Sequence, residues 1–127
     1  MTLRPRDPGR LASLAGNVAP MDLQCRTVKF GELSALVLEG ELDLGSLPAL
    51  HNALGRLLVD ARGEVVAVDL DGLTLVDDAG LGVLIGSAGR AREAGGDLVL
   101  VCTNERLLER FSISGLARAV EVRDRLG

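Results

Sequence analysis

Polar and apolar residues alternate along Asp22–Phe30, with Leu23, Cys25 and Thr27 on one side and Gln24, Arg26 and Lys29 largely on the other. A period of two predicts a half-exposed strand. Gly31-Glu32 is turn-sized, and Leu36-Val37-Leu38 within Leu33–Glu39 is a short buried run, so the two segments predict a hairpin. Gly40-Glu41-Leu42-Asp43 reads as a polar break. The period then changes: Leu47, Leu50, Leu54, Leu57 and Leu58 recur at helical spacing, with Ser46 as N-cap and Pro48 in the first turn, and predict a helix to Asp60. Val65–Leu70 is a continuous apolar run with Asp69 inside it, the pattern of a central parallel strand. Leu73–Val76 reads as an apolar connection into a second helix, Ala79–Ala94, stopped at Gly95-Gly96. Leu98–Cys102 is another buried strand. Asn104 caps a third helix to Ser114, with Leu107, Leu108 and Phe111 inward, and Gly115 ends it. Ala119–Val122 is a last short strand. Residues 1–20 carry Arg4, Pro5, Pro8 and Gly9 without a sustained period and read as a flexible arm.

The order β-β-α-β-α-β-α-β predicts an α/β domain over residues 21–127, a mixed sheet with helices packed on it. A chain of 127 residues, 47% of them hydrophobic, suits one domain with a real core. The net charge of −4 argues against a nucleic-acid partner, which needs a clustered basic surface. Aromatic residues make up only 2%, with no Trp or Tyr, so stacking platforms for bases or sugars are almost absent. A single histidine, His51, excludes chemistry needing two imidazoles, and its position on the polar side of the first helix marks a solvated residue. Cys25 and Cys102 read as two small buried residues in a reducing cytosol, or else as a redox pair. No stretch approaches the ~20 apolar residues of a membrane helix, and no secretory leader is evident. A cytoplasmic protein with no membrane partner, cofactor or metal is expected.

The informative segment is Val76-Asp77-Asp78-Ala79-Gly80-Leu81-Gly82-Val83-Leu84-Ile85-Gly86. It puts two carboxylates at a helix N-terminus, where free backbone N–H groups and the dipole favour negative charge. Capping accounts for one aspartate; two exceed what a cap needs. On a helical wheel Leu81, Leu84, Ile85, Ala88 and Ala91 form an apolar stripe, and Gly82, Gly86 and Gly89 fall together beside it. Each glycine inside a helix costs about 1 kcal/mol against alanine. Two readings stay open: an intramolecular neighbour packed against the glycines, or a partner protein laid across a smooth helix. Gly80-x-Gly82-x-x-x-Gly86 departs from the dinucleotide fingerprint, and the next strand ends Val101-Cys102-Thr103 without the acidic ribose ligand. A phospho-accepting receiver domain needs a lysine near its carboxylates, and the only lysine is Lys29, on the first strand. No nucleophile–base pair and no metal-ligand cluster is present, so no catalysis is expected.

Four segments together resemble the STAS domains of anti-sigma factor antagonists. These are Gly40-Glu41-Leu42-Asp43, then Val66–Leu70 leading through Asp71-Gly72-Leu73 into Val76–Leu84, then Ala94–Leu100, and last Leu108-x-x-Phe111-x-x-Ser114-Gly115-Leu116. The resemblance spans about Cys25 to Val122. It implies a STAS-type mixed sheet and a regulatory module that binds an anti-sigma factor, often a serine kinase, and so frees a sigma factor for transcription. In the family that kinase phosphorylates a serine or threonine at the start of the second helix, and the added charge of about −1.5 to −2 breaks the complex. The matching position here is Asp78, which no serine kinase can modify, and Ala79 follows it. Asp77 falls on the aspartate of the central signature and Asp43 on the partner-facing aspartate of the first. The resemblance thus implies a partner surface of Asp43, Asp77, Asp78, Ala79, Gly80, Gly82 and Gly86 on a monomer or weak homodimer. Asp78 leaves two opposite outcomes, a constitutive binder or a mimic of the phosphorylated, released state. With phosphorylation excluded there, Cys25 and Cys102 become candidate redox regulators. The same fold also serves as an accessory subunit of transporters and as a scaffold in stressosome-like assemblies.

Overall fold

Residues 22–125 are described by the structure, a computed structural model. The arm expected over residues 1–20 lies outside them. Five strands form one sheet in the order β1-β2-β3-β4-β5: β1 (Gln24–Phe30), β2 (Leu33–Leu42), β3 (Val65–Val76), β4 (Asp97–Val101) and β5 (Glu121–Arg123). Only the β1–β2 hairpin is antiparallel; the other neighbours are parallel. The connections carry α1 (Leu47–Asp60), α2 (Asp78–Glu93), α3 (Glu105–Ser114) and the single turn α4 (Leu116–Ala119). The expected mixed α/β domain is therefore present, with α4 added before the last strand.

The main core lies between one sheet face and the helices. Leu36, Leu38, Val66, Val68, Leu70, Leu98 and Leu100 come from alternate strand positions, and Leu50, Leu54, Leu84, Phe111 and Leu116 meet them from the helices. Alternation places Ala35, Ala67, Val99 and Val101 on the opposite face, where they form a second buried cluster that contains no helical residue.

Several boundaries differ from the sequence reading. Gly40-Glu41-Leu42 is not a break but the end of β2, and Leu73–Val76 is not a connection but the end of β3. The two segments pair with each other, Gly40 with Leu73, Glu41 with Leu75 and Leu42 with Val76, after register shifts between Val37 and Glu39 and between Gly40 and Glu41. Such bulges break the period of two, so the pattern hides the pairing. Ser46 makes no side-chain cap on α1. It closes a 3₁₀ turn, Leu44–Ser46, in a reciprocal box with Asp43. Leu108 faces outward, because Leu107 and Phe111 share the inward side at i and i+4. Ala119 ends α4 instead of opening the last strand: Gly115, at φ 82°, turns the chain after α3 so that Leu116 buries in one more turn.

Gly40 is the tightest point of β2. Its φ is +104°, and a Cβ there would stand 2.0 Å from the Asp22 carbonyl oxygen. Gly31, at φ +61° in the hairpin turn, has open space around it. Gly31→Ala should cost only the left-handed strain, about 1 kcal/mol, whereas Gly40→Ala adds a backbone overlap and should cost clearly more. Urea denaturation of the two variants beside the parent checks the order.

Candidate functional site

The parallel register of β2 and β3 builds the site. Leu42 lies opposite Val76 at the ends of the two strands, so the next residues, Asp43 and Asp77, leave the sheet side by side. A backbone hydrogen bond from Asp77 N to the Leu42 carbonyl, 3.0 Å, ties the two exits together. Each aspartate then begins a helical turn. Asp43 Oδ1 accepts from Ser46 N at 3.1 Å, and Asp43 N donates to Ser46 Oγ at 2.9 Å. Asp77 Oδ1 accepts from Gly80 N at 3.1 Å and caps α2. Both carboxylates are half-buried and committed to local backbone. They shape the corner more than they present charge.

Asp78 is different. It lies in the first turn of α2 with 95% of its side chain exposed. Arg110 of α3 reaches it, Nη2 to Oδ1 at 2.9 Å, and donates from Nη1 to the carbonyl of Val76. Sequence reading did not single out Arg110, because an arginine on the polar side of a helix carries no signal until the fold shows what stands opposite. Leu44, 71% exposed in the 3₁₀ turn after Asp43, was passed over as well. The only cue in the sequence is its place directly after a signature aspartate; its exposure is legible only in the fold.

The glycines of α2 divide into two kinds. Gly80 is buried, and a Cβ there would stand 2.5 Å from Leu42 Cγ, so helix and strand meet at its backbone. Gly82, Gly86 and Gly89 have nothing within 4 Å of an added Cβ. Among the described residues no neighbour requires these three to be glycine. Gly82 and Gly86 are exposed beside Ile85, itself 37% exposed, while Leu81, Leu84, Ala88 and Ala91 bury the other side. Ile85 thus sits at the edge of the stripe and not in the core. Ala79 is half-buried between Asp78 and Gly80.

The two cysteines are not brought together. Cys25 is on β1 and Cys102 just beyond β4, three strand spacings apart in the sheet, or about 14 Å. A disulfide needs Cα atoms within about 7 Å, so the strand order rules out the alternative of an intramolecular pair. Burial pushes both thiols above their ordinary values; the Asp71 and Asp69 carboxylates add to it at Cys102, partly opposed by backbone hydrogen bonding at Asn104, and Arg56 opposes it at Cys25. Raised thiols are poor nucleophiles. His51 is exposed on α1. Among the described residues, no His, Cys, Asp or Glu group could hold a metal ion, and no helix is long and apolar enough to cross a membrane.

Set against known proteins, residues 25–123 match the family model described as Mlab, STAS domain. The chain belongs to the STAS domain family. Over 85 residues it is 33% identical to the anti-sigma-B factor antagonist of Listeria monocytogenes, covering 67% of this chain and 74% of that protein. The crystal structure of an anti-sigma factor antagonist from Mycobacterium paratuberculosis shares the fold with a TM-score of 0.70, at 22% identity, covering 85% of this STAS domain chain and 91% of the other. The phosphorylated form of the Bacillus cell fate determinant SpoIIAA shares it with a TM-score of 0.58, at 18% identity, covering 81% and 92%.

Two outcomes follow. Asp77→Ala removes the α2 cap and should cost about 0.5–2 kcal/mol in urea unfolding. Because both thiols hold their protons more tightly when folded, their contribution to stability is complete below the ordinary thiol pKa of about 8.5 and is lost as pH rises through the raised folded values. With no Tyr and one Lys, little else titrates there. The urea midpoint should fall between about pH 8 and pH 10, and the Cys25→Ala/Cys102→Ala variant should show a flatter profile over that window.

Proposed function

We propose that this STAS domain is an anti-sigma factor antagonist that works by docking. It binds an anti-sigma factor of the serine-kinase type through the start of α2 and the adjoining 3₁₀ turn, and the occupied anti-sigma factor releases its sigma factor for transcription. The observation that carries the reading is the open strip of Gly82, Gly86 and Gly89, which costs helix stability and serves no contact among the described residues. A smooth helix lets a partner's surface approach the backbone closely. The names of the relatives support the same reading.

Within this surface the residues take separate roles. Asp78, Ala79, Gly82 and Gly86 are exposed or half-exposed and meet the partner. Leu44 and Ile85 supply apolar area at its margin. Asp43, Asp77 and Gly80 hold the corner in shape. Position 78 is a permanent carboxylate and takes no phosphate, so the domain is a constitutive binder and the partner, or its supply, sets when the complex forms. A carboxylate has about half the charge of a phosphate and fewer acceptor oxygens, which suits a tolerated residue better than a mimic.

The test is titration of the purified kinase-type anti-sigma factors of the source genome with the parent protein, Asp78→Ser and Gly82→Ala/Gly86→Ala. The parent should bind one of them about as tightly as Asp78→Ser. Binding by Asp78→Ser alone would show that Asp78 mimics the released state, and no binding by either would remove the function. The Gly82→Ala/Gly86→Ala variant should unfold later, by about 0.5–1 kcal/mol per site, and yet bind more weakly. Gain of stability with unchanged binding would take the glycine strip out of the interface.

A further inference from the structure

Asp78 places a fixed charge on the face where, in this reading, a partner docks, and Arg110 answers that charge from another element. The two residues lie 32 positions apart in sequence. Arg110 extends from the middle of α3 and crosses to the corner between β3 and α2. One terminal nitrogen, Nη1, donates to the carbonyl of Val76, the last residue of β3. The other, Nη2, donates to Asp78 Oδ1 at 2.9 Å. The contact with Val76 anchors the guanidinium to the backbone, so its place at the corner does not depend on what residue 78 is. A planar guanidinium carries its donors in a rigid fork, so one anchored nitrogen fixes the direction of the other.

We propose that Arg110 is a positioning residue that cancels the charge of Asp78, so that α2 meets its partner as an uncharged surface. The inference rests on the docking reading above and deepens it by naming what makes a permanent carboxylate tolerable there. In the free protein the pair is exposed and adds little to stability. Its effect appears on docking. Water then leaves the corner, and a lone carboxylate would be buried without a counter-charge, which is costly; a paired one with its hydrogen bond made is far less so. Asp78 keeps most of its surface free, so the pair can be covered by a partner as a unit.

The experiment is a double-mutant cycle on Arg110→Gln and Asp78→Asn, read as affinity for the tightest-binding anti-sigma factor in the titration above, with circular dichroism to show that each variant is folded. Arg110→Gln should weaken binding by at least about tenfold, because it leaves the Asp78 carboxylate in the docked corner without its counter-charge. Arg110→Gln/Asp78→Asn, which removes both charges, should recover parent affinity to within about twofold, and a merely structural role of Arg110 at Val76 would give no such recovery. Asp78→Asn alone should bind no tighter than the parent, because it leaves the guanidinium without its counter-charge. The inference is overturned if the double variant binds as weakly as Arg110→Gln, if Arg110→Gln binds like the parent, or if Asp78→Asn binds several-fold tighter than the parent. Should no variant bind, the docking function falls and this inference with it; should the parent bind while the cycle shows no coupling, this inference alone falls.

Discussion

Parallel pairing between the ends of β2 and β3 holds the rest of the site in place. It sets Leu42 against Val76, and the hydrogen bond from Asp77 to the Leu42 carbonyl carries the pairing one residue past the sheet. Asp43 and Asp77 then leave neighbouring strands at the same height and each turns its chain into a helix. Gly80 lets α2 settle directly on Leu42. Arg110 closes the corner from α3 by holding the carbonyl of Val76. A register slip of one residue would separate the aspartates and turn every core side chain of β3 to the opposite face.

Inside and outside, α2 answers to different demands. Inward, Leu81, Leu84, Ala88 and Ala91 bury against the sheet and α1, and that burial outweighs a poor intrinsic tendency to form helix. Outward, Gly82, Gly86 and Gly89 give up about 1 kcal/mol each against alanine and leave a bare strip of backbone beside Ile85. Under the docking proposed above, stability and binding pull the same positions in opposite directions, as is common where a surface has a task beyond folding.

Much of this was readable in the chain. The helical spacing of the leucines in α1, the buried runs of β3 and β4, the Asn104 cap and the hairpin at Gly31 follow directly from period and turn chemistry. The last residues of β2 and β3 did not, because their bulges destroy the alternation by which a strand is recognised and their polar residues imitate a loop. Asp43 and Asp77 stood out as acids at helix starts, but which of the three acids at this corner is spent on capping and which is free depends on backbone geometry that no spacing encodes. Arg110 was invisible for a related reason: its importance comes from a partner far along the chain, and only the packing of α3 beside the end of β3 brings them together.

The corner is assembled from β2, β3, α2 and α3, so none of it exists in any single stretch of sequence. Local helices form early, while parallel pairing waits for distant segments to meet and is slow for that reason. A growing or partly unfolded chain therefore lacks the acid turn and the guanidinium at this corner, and lacks the burial on which α2 itself depends. Such a chain has nothing with which to occupy a partner. Under the docking proposed above, recognition is conditional on completed folding, since every element of the corner must be in place before it can be met.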